Sequence, residues 1–262
     1  MIRLAFAGVR QPAVDCLSVL LDAGVEPQAL LVSAPGRATH DDALREMSGL
    51  GSDRVLVGRQ FREPSSIGLL RSLDLDYIVG VHFPYIVPDS VLEIPRIGVL
   101  NLHPALLPYN RGWHTPTWAI LEGTPIGATL HFMDRGVDTG DIVAQAELEI
   151  RPGDTAHTLY RRLLGLEVDL FKTAWQLLAS GSPPRRSQSP DEGSSHNRAD
   201  LAVDSIRRLE LEQAVPVRDV LRRLRALTTS DVEEAAYFEQ DGRRYRVQIT
   251  ITPEGEPVDG EA

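Results

Sequence analysis

The chain has 262 residues, 42% of them hydrophobic and 24% charged, enough for one large or two modest globular domains. Its formal net charge is −10 with no basic run, so it repels a phosphate backbone, and nucleic acid is not an expected partner. No apolar stretch reaches the roughly 20 residues that span a bilayer, "MIRLAFAGVRQPAV" lacks a signal-peptide core, and one cysteine, Cys16, excludes an internal disulfide; no membrane association and a cytoplasmic location are the expectations.

The first half alternates. "IRLAFAG" and "PQALLVS" read as buried strands, with an amphipathic helix from Pro12 to Ala23 between them. "ALREMSGL" and "SSIGLLRSL" read as helices, "DYIVGVH" as a strand, "PDSVLEIP" as a short helical turn and "GVLNLH" as a strand. Such alternation predicts a mostly parallel sheet with helices on both faces, an α/β fold whose ligands bind beyond the carboxyl ends of the strands. The "PTWAILEG" helix is followed by two apolar segments, "GATLHFM" and "DIVAQAELEI", joined by the loop "DRGVDTG". Helical spacing of Leu159, Leu163, Leu166, Leu170, Trp175 and Leu178 predicts a long helix over Thr155 to Leu178.

Periodicity then vanishes in "ASGSPPRRSQSPDEGSSHNRAD", where Pro, Ser and Gly dominate. This divides the chain into a first domain over 1–181, a linker over 182–200 and a small module over 201–262. The module holds the helix "VRDVLRRLRAL" and the hairpin "AAYFEQDGRRYRVQITI" with its "DG" turn, and the closing "PEGEPVDGEA" is expected to fray. One helix and one hairpin bury little core alone. The module therefore pairs with its copy in a homodimer, or packs onto the first domain.

No glycine-rich dinucleotide fingerprint follows the first strand, since "FAGVRQP" offers only Gly8, and neither a Walker loop nor a Cys-x-x-Cys or His-Glu-x-x-His motif is present. A zinc set of His103, His114 and Asp138 matches no standard ligand spacing, so no metal is expected. What remains is "NLHPALLPYNRG", where Asn101 and His103 share one face of a strand that Pro104 ends. A histidine takes up a proton near neutral pH, an asparagine amide stabilises a growing oxyanion, and an aspartate orients the ring. That set suits acyl transfer to an amine with no serine or cysteine nucleophile. A lone histidine at a strand end is also a common structural hydrogen-bonder, and Asn and Asp in loops commonly cap or turn.

"LNLHPALLPYNRG", then "WAILEGTPIGATLHFMDRGVDTGDIV", resembles the formyltransferase family that uses 10-formyltetrahydrofolate. The matching motifs are Asn101, His103 and Pro104; Leu107, Pro108 and Gly112; and Asp138, Thr139, Gly140 and Asp141. The resemblance covers most of residues 1–180 and implies a Rossmann-like fold without a nucleotide cofactor. It implies His103 as the group that handles the amine proton, Asn101 as the oxyanion donor and Asp138 as the group that orients them. It further implies a pterin site, made mainly of backbone, at His82, Phe83, Tyr85, Ile86 and Val87 and at Asp134, Gly136, Val137 and Asp141, where Asp141 has a turn or cap role as its alternative.

Three acceptors compete. Methionyl-tRNA formyltransferases carry a larger basic domain that this chain lacks, and glycinamide ribonucleotide formyltransferases begin with a phosphate loop from which "AFAGVRQPAV" departs. Nucleotide-linked amino sugars fit better: "LPYNRGWHTPTW" and the tail resemble the enzymes that formylate them, although "TTSDVEE" departs from their pattern before the hairpin. The substrate residues so implied are Tyr109, Asn110, Arg111 and Trp113. Arg111 meets a pyrophosphate or fastens its loop, and Trp113 stacks on a base or forms a lid. Tyr237 and Tyr245 could stack or be structural. A folate-binding protein without activity is the non-enzyme alternative.

Overall fold

The computed structural model describes residues 2–36, 39–189 and 191–254, so most of the stretch expected to fray lies outside the described residues. The first unit runs β1 (Leu4–Gly8), α1 (Arg10–Asp22), β2 (Ala29–Val32), α2 (Asp41–Ser48), β3 (Val55–Val57), α3 (Pro64–Ser72), β4 (Tyr77–Val81), α4 (Asp89–Leu92) and β5 (Gly98–His103). There follow β6 (Arg111–Gly112), α5 (Thr115–Glu122), β7 (Ile126–Phe132), β8 (Ile142–Leu148) and α6 (Ala156–Ala179). The remainder comprises β9 (Ser195–His196), α7 (Asp204–Arg207), α8 (Val217–Leu227), β10 (Ala236–Gln240) and β11 (Arg243–Val247).

Among the described residues, seven strands form one sheet in the order β3-β2-β1-β4-β5-β7-β8. The first five run parallel, and β7 and β8 close the sheet with antiparallel pairings. This is the mostly parallel α/β architecture that the alternation predicted. The short edge strand β3 was not separable in the sequence, because three residues are too few to show a period.

The strands in the middle are buried on both faces, so they read as continuous apolar runs. On one face Phe6, Val79, Leu100 and Leu102 meet α1 and α6, with Leu17, Leu20, Phe171 and Trp175 fully or almost fully buried. On the other, Ala7, Ile78 and Val99 meet Phe61, Leu70, Leu73 and Val91. Each large apolar side chain removed from water contributes about 1.5–3 kcal/mol. α6 starts at a capping box in which the Thr155 and Thr158 side chains each accept the other's backbone N–H.

The carboxyl-terminal module packs in cis. Leu224 and Leu227 of α8 lie against Trp118 of α5 and Ala236 of β10, and Ala226 joins Ile120, Leu159 and Leu163. Along the same stripe of α8 as Leu224, toward the helix start, Val217 is 72% and Leu221 43% exposed. Among the described residues no helix is long and apolar enough to cross a membrane.

Candidate active site

The site begins with the pleat of β5. Leu100 and Leu102 face α1 and α6, so Asn101 and His103 face the other side, with Val99. Pro104 then turns the chain into the 104–114 loop, which crosses back over that face. β4 supplies Gly80 beside Asn101; a Cβ there would come within 3.1 Å of the Leu100 carbonyl and 3.6 Å of Asn101 Oδ1. The glycine leaves room beside Asn101.

Asp138 arrives from the 133–141 loop between β7 and β8. Its Oδ1 accepts from Asn101 Nδ2 at 3.3 Å and lies 3.4 Å from His131 Nε2. Its Oδ2 accepts from the Gly112 backbone N–H at 2.9 Å and lies 3.6 Å from His103 Nε2. Four polar groups thus meet at one carboxylate. Burial works to raise the Asp138 pKa, but His103, His131 and the Gly112 N–H outweigh it and hold the carboxyl well below the usual carboxylate range. The group is an anion at neutral pH.

His131 is the member that sequence reading missed. It sits opposite Asn101 in register, and a bulge in the β7–β8 pairing falls between Leu130 and His131, where bulges re-aim side chains. Its Nδ1–H donates to the Phe132 carbonyl at 2.7 Å, and its Nε2 lies 3.4 Å from both Asn101 Nδ2 and Asp138 Oδ1. Asn101 therefore turns its amide nitrogen toward Asp138 and His131, through two long bonds. His103 places Nε2 3.3 Å from the Asn110 carbonyl, an acceptor, which puts the neutral ring's proton on Nε2 and its lone pair on Nδ1.

The stretch expected to be a linker runs across this loop as a strap. β9 pairs with β6, Ser194 Oγ accepts from Asn110 N at 3.0 Å, and the Trp113 N–H donates to the His196 carbonyl at 2.9 Å. Gly112, at φ 90°, allows that approach, since a Cβ there would sit 2.2 Å from the His196 carbonyl oxygen. Asn110 is buried and left-handed, donating to Thr124 Oγ1 and the Pro125 carbonyl at 2.9 and 3.3 Å. The Arg111 fork is taken by the strap: Nε and Nη2 donate to Gln188 Oε1 at 3.2 and 2.9 Å. Tyr109 is half-buried on the same loop, and Trp113 is 47% exposed with the Arg198 guanidinium 5.5 Å from its ring centre.

Residues 37–175 match a family model described as formyl transferase, and residues 202–253 match one described as the N-formyltransferase dimerization carboxyl-terminal domain. The chain belongs to the formyltransferase family. The dTDP-4-amino-4,6-dideoxyglucose formyltransferase of Mycobacterium tuberculosis is 31% identical over 179 residues, 68% of this chain and 74% of that protein. The methionyl-tRNA formyltransferase of Clostridioides difficile is 30% identical over 196 residues, 72% of this chain and 63% of that protein. A sugar N-formyltransferase from Shewanella sp. FDAARGOS_354 shares the fold, with a TM-score of 0.79 at 23% identity, over 97% of this chain and 99% of that one. The formyl donor of the family is 10-formyltetrahydrofolate.

In this formyltransferase the two loops expected to receive the pterin lie next to each other, tied by an exposed Arg135–Asp89 pair at 3.1 Å. Ile86 (78% exposed) and Val137 (54%) are uncovered apolar side chains, one on each loop. Beneath them Phe83 packs edge-on against Phe61 and Tyr85, whose hydroxyl accepts from Ala34 N, and Val87 packs on the same cluster. Asp134 Oδ1 accepts from Gly136 N and Thr139 Oγ1 at 2.9 and 2.6 Å, which shapes the turn, while Asp141 pairs with Arg185 at 3.8 Å. The side chain of His82 reaches Glu167 Oε2 of α6 at 2.8 Å, and its Nδ1 meets Tyr160, to which Arg10 donates. It pegs the loop from behind.

His114 lies 3.6 Å from Glu234 of the module, and among the described residues no group of three His, Cys, Asp or Glu is arranged to hold a metal. Tyr237 is buried, donating to Asp204 at 2.6 Å, whereas the half-exposed Tyr245 stacks on Phe238. His82, Asn110, His114 and Asp138 all have positive φ, between 54° and 57°, so left-handed backbone gathers in these loops.

Proposed function

We propose that the protein transfers the formyl group of 10-formyltetrahydrofolate to the amine of a nucleotide-linked amino sugar, with a dTDP sugar favoured over UDP or GDP sugars. The observation that carries this reading is the meeting of Asn101, His103 and Asp138 within 3.6 Å on one face of β5. The donor supplies an electrophilic formyl carbon. His103 Nδ1 takes the proton that the attacking amine must lose, and the imidazolium so formed faces the Asp138 anion. Asn101 re-aims one N–H from its long bonds toward the formyl oxygen as negative charge grows there. The C–N bond to the sugar forms, the bond to folate N10 breaks, and His103 returns the proton to N10.

Trp113 and Arg198 form the nucleotide end of the site, the ring for the base and the exposed guanidinium for the pyrophosphate. This reading moves the phosphate role from Arg111, whose fork is occupied, to Arg198. The match of residues 202–253 to a dimerisation domain and the acidic charge favour a sugar over tRNA, and the exposed Val217 and Leu221 are the face through which a homodimer forms. Cytoplasmic placement belongs to the same proposal. The test mixes the protein with 10-formyltetrahydrofolate and dTDP-, UDP- and GDP-amino sugars, or methionyl-tRNA, and follows products by mass spectrometry. A formylated dTDP sugar is expected. Formylated tRNA alone, formate without any amine, or folate binding without turnover would each replace this reading.

A further inference from the structure

We infer that Gln188 is a positioning residue for the reaction, acting through Asp138; this deepens the proposed function and rests on it. The Gln188 amide bridges the two loops that hold Asp138. Its Nε2 donates to the Asp138 carbonyl at 2.9 Å and to the Gly140 carbonyl at 2.7 Å. Its Oε1 accepts from both Nε and Nη2 of Arg111 at 3.2 and 2.9 Å. Both amide hydrogens and both lone pairs of the oxygen are therefore used.

The consequence reaches the carboxylate from two directions. The Asp138 backbone, left-handed at φ 54°, is held at its carbonyl by Gln188. Its Oδ2 is held by the N–H of Gly112, the residue next to the arginine that Gln188 also grips. An aspartate in that conformation relaxes toward negative φ once released, and the fixed distances to His103 and Asn101 go with it. The strap is thus a brace for the anion that faces the proton-accepting ring. Arg111, buried and met additionally by the Ser189 and Glu192 carbonyls at 3.5 Å, carries the brace into the 104–114 loop.

The test uses the full chain and four variants, Gln188→Ala, Gln188→Glu, Asp138→Asn and the double variant Gln188→Ala/Asp138→Asn. Glutamate keeps the partner of Arg111 but sets a carboxylate oxygen against two carbonyls, so it separates holding the strap from holding Asp138. Both Gln188 variants are expected to lose kcat by roughly 30-fold or more while the folate KM stays within about threefold. In the Asp138→Asn background the further loss on Gln188→Ala should shrink to under about threefold, since two residues acting through one group are not additive. Far-ultraviolet circular dichroism and the thermal midpoint confirm folding, and Gln188→Glu serves where Gln188→Ala unfolds. Wild-type kcat in Gln188→Glu, or equal losses in both backgrounds, overturns the inference and leaves the proposed function standing. Absence of formyl transfer by the wild type overturns both.

Discussion

Replacing Asp138 by asparagine tests the site most directly, because the shape is kept and the charge removed. His103 Nε2 lies 3.6 Å from the carboxylate, and in the proposed transfer the ring would become an imidazolium at that distance. At an effective dielectric of about 20 that pair is worth about 4–5 kcal/mol. The carboxylate is 14% exposed, and solvent screening trims the figure to about 3–4 kcal/mol. At about 1.4 kcal/mol per decade, kcat should fall by roughly 10²- to 10³-fold. The amide also sets an N–H₂ group against a donor, either Gly112 N or Asn101 Nδ2, at a stability cost of about 1–3 kcal/mol. The assay is steady-state formylation of the amino-sugar nucleotide at saturating folate, with tetrahydrofolate binding measured separately by calorimetry. A variant that binds folate, stays folded and loses less than tenfold in kcat would show that the anion does no work on the ring.

Asn101→Ala should lower kcat by a hundredfold or more with folate affinity retained, the scale of one lost oxyanion donor, read in the same assay. Trp113→Ala and Arg198→Ala should each raise the KM for the sugar nucleotide about tenfold or more and leave the folate KM within about twofold; equal changes in both constants would remove the pair from the nucleotide end. His82→Ala leaves the fully buried Glu167 without its partner and should cost about 3–5 kcal/mol in urea unfolding, with much of the loss regained in His82→Ala/Glu167→Leu. Because the folded Asp138 pKa is depressed, the stability it contributes is fully present above the unfolded value of about 3.9 and is lost as pH falls toward the folded value. Unfolding midpoints of Asp138→Asn should therefore fall less steeply than those of the wild type below about pH 4.5.

Much of this was legible in the chain. β5 announced itself because a buried strand that ends in a proline can carry polar residues two apart only by turning both to one face. α6 was legible from end to end, since a helix buried along one side must repeat its leucines. His131 was not. It looks like one more member of an apolar strand, and only the pairing of β7 with β5, with the bulge beside it, sets it across from Asn101. Arg111 read equally well as a phosphate ligand or a fastener, because a guanidinium accepts any acceptor in reach and its partners lie 77 or more residues away.

The stretch over 182–200 shows why a pattern-poor segment is the hardest to read. A strap held to loops by backbone pairing and polar side chains needs no repeating apolar side, so it has no period to detect. What it needs instead is local: a glycine where backbones touch, and a side chain with donors and acceptors together. Gly193 has both the positive φ of 96° and the contact, since a Cβ there would lie 2.0 Å from the Pro108 carbonyl oxygen. Gln188 is a residue type that can bind an arginine and two carbonyls at once, which neither glutamate nor lysine can do. The serine, glycine and glutamine that read as linker composition are the residues required to lie flat on the 104–114 loop. Low complexity there reflects close backbone approach, and the function of the segment follows from what it touches.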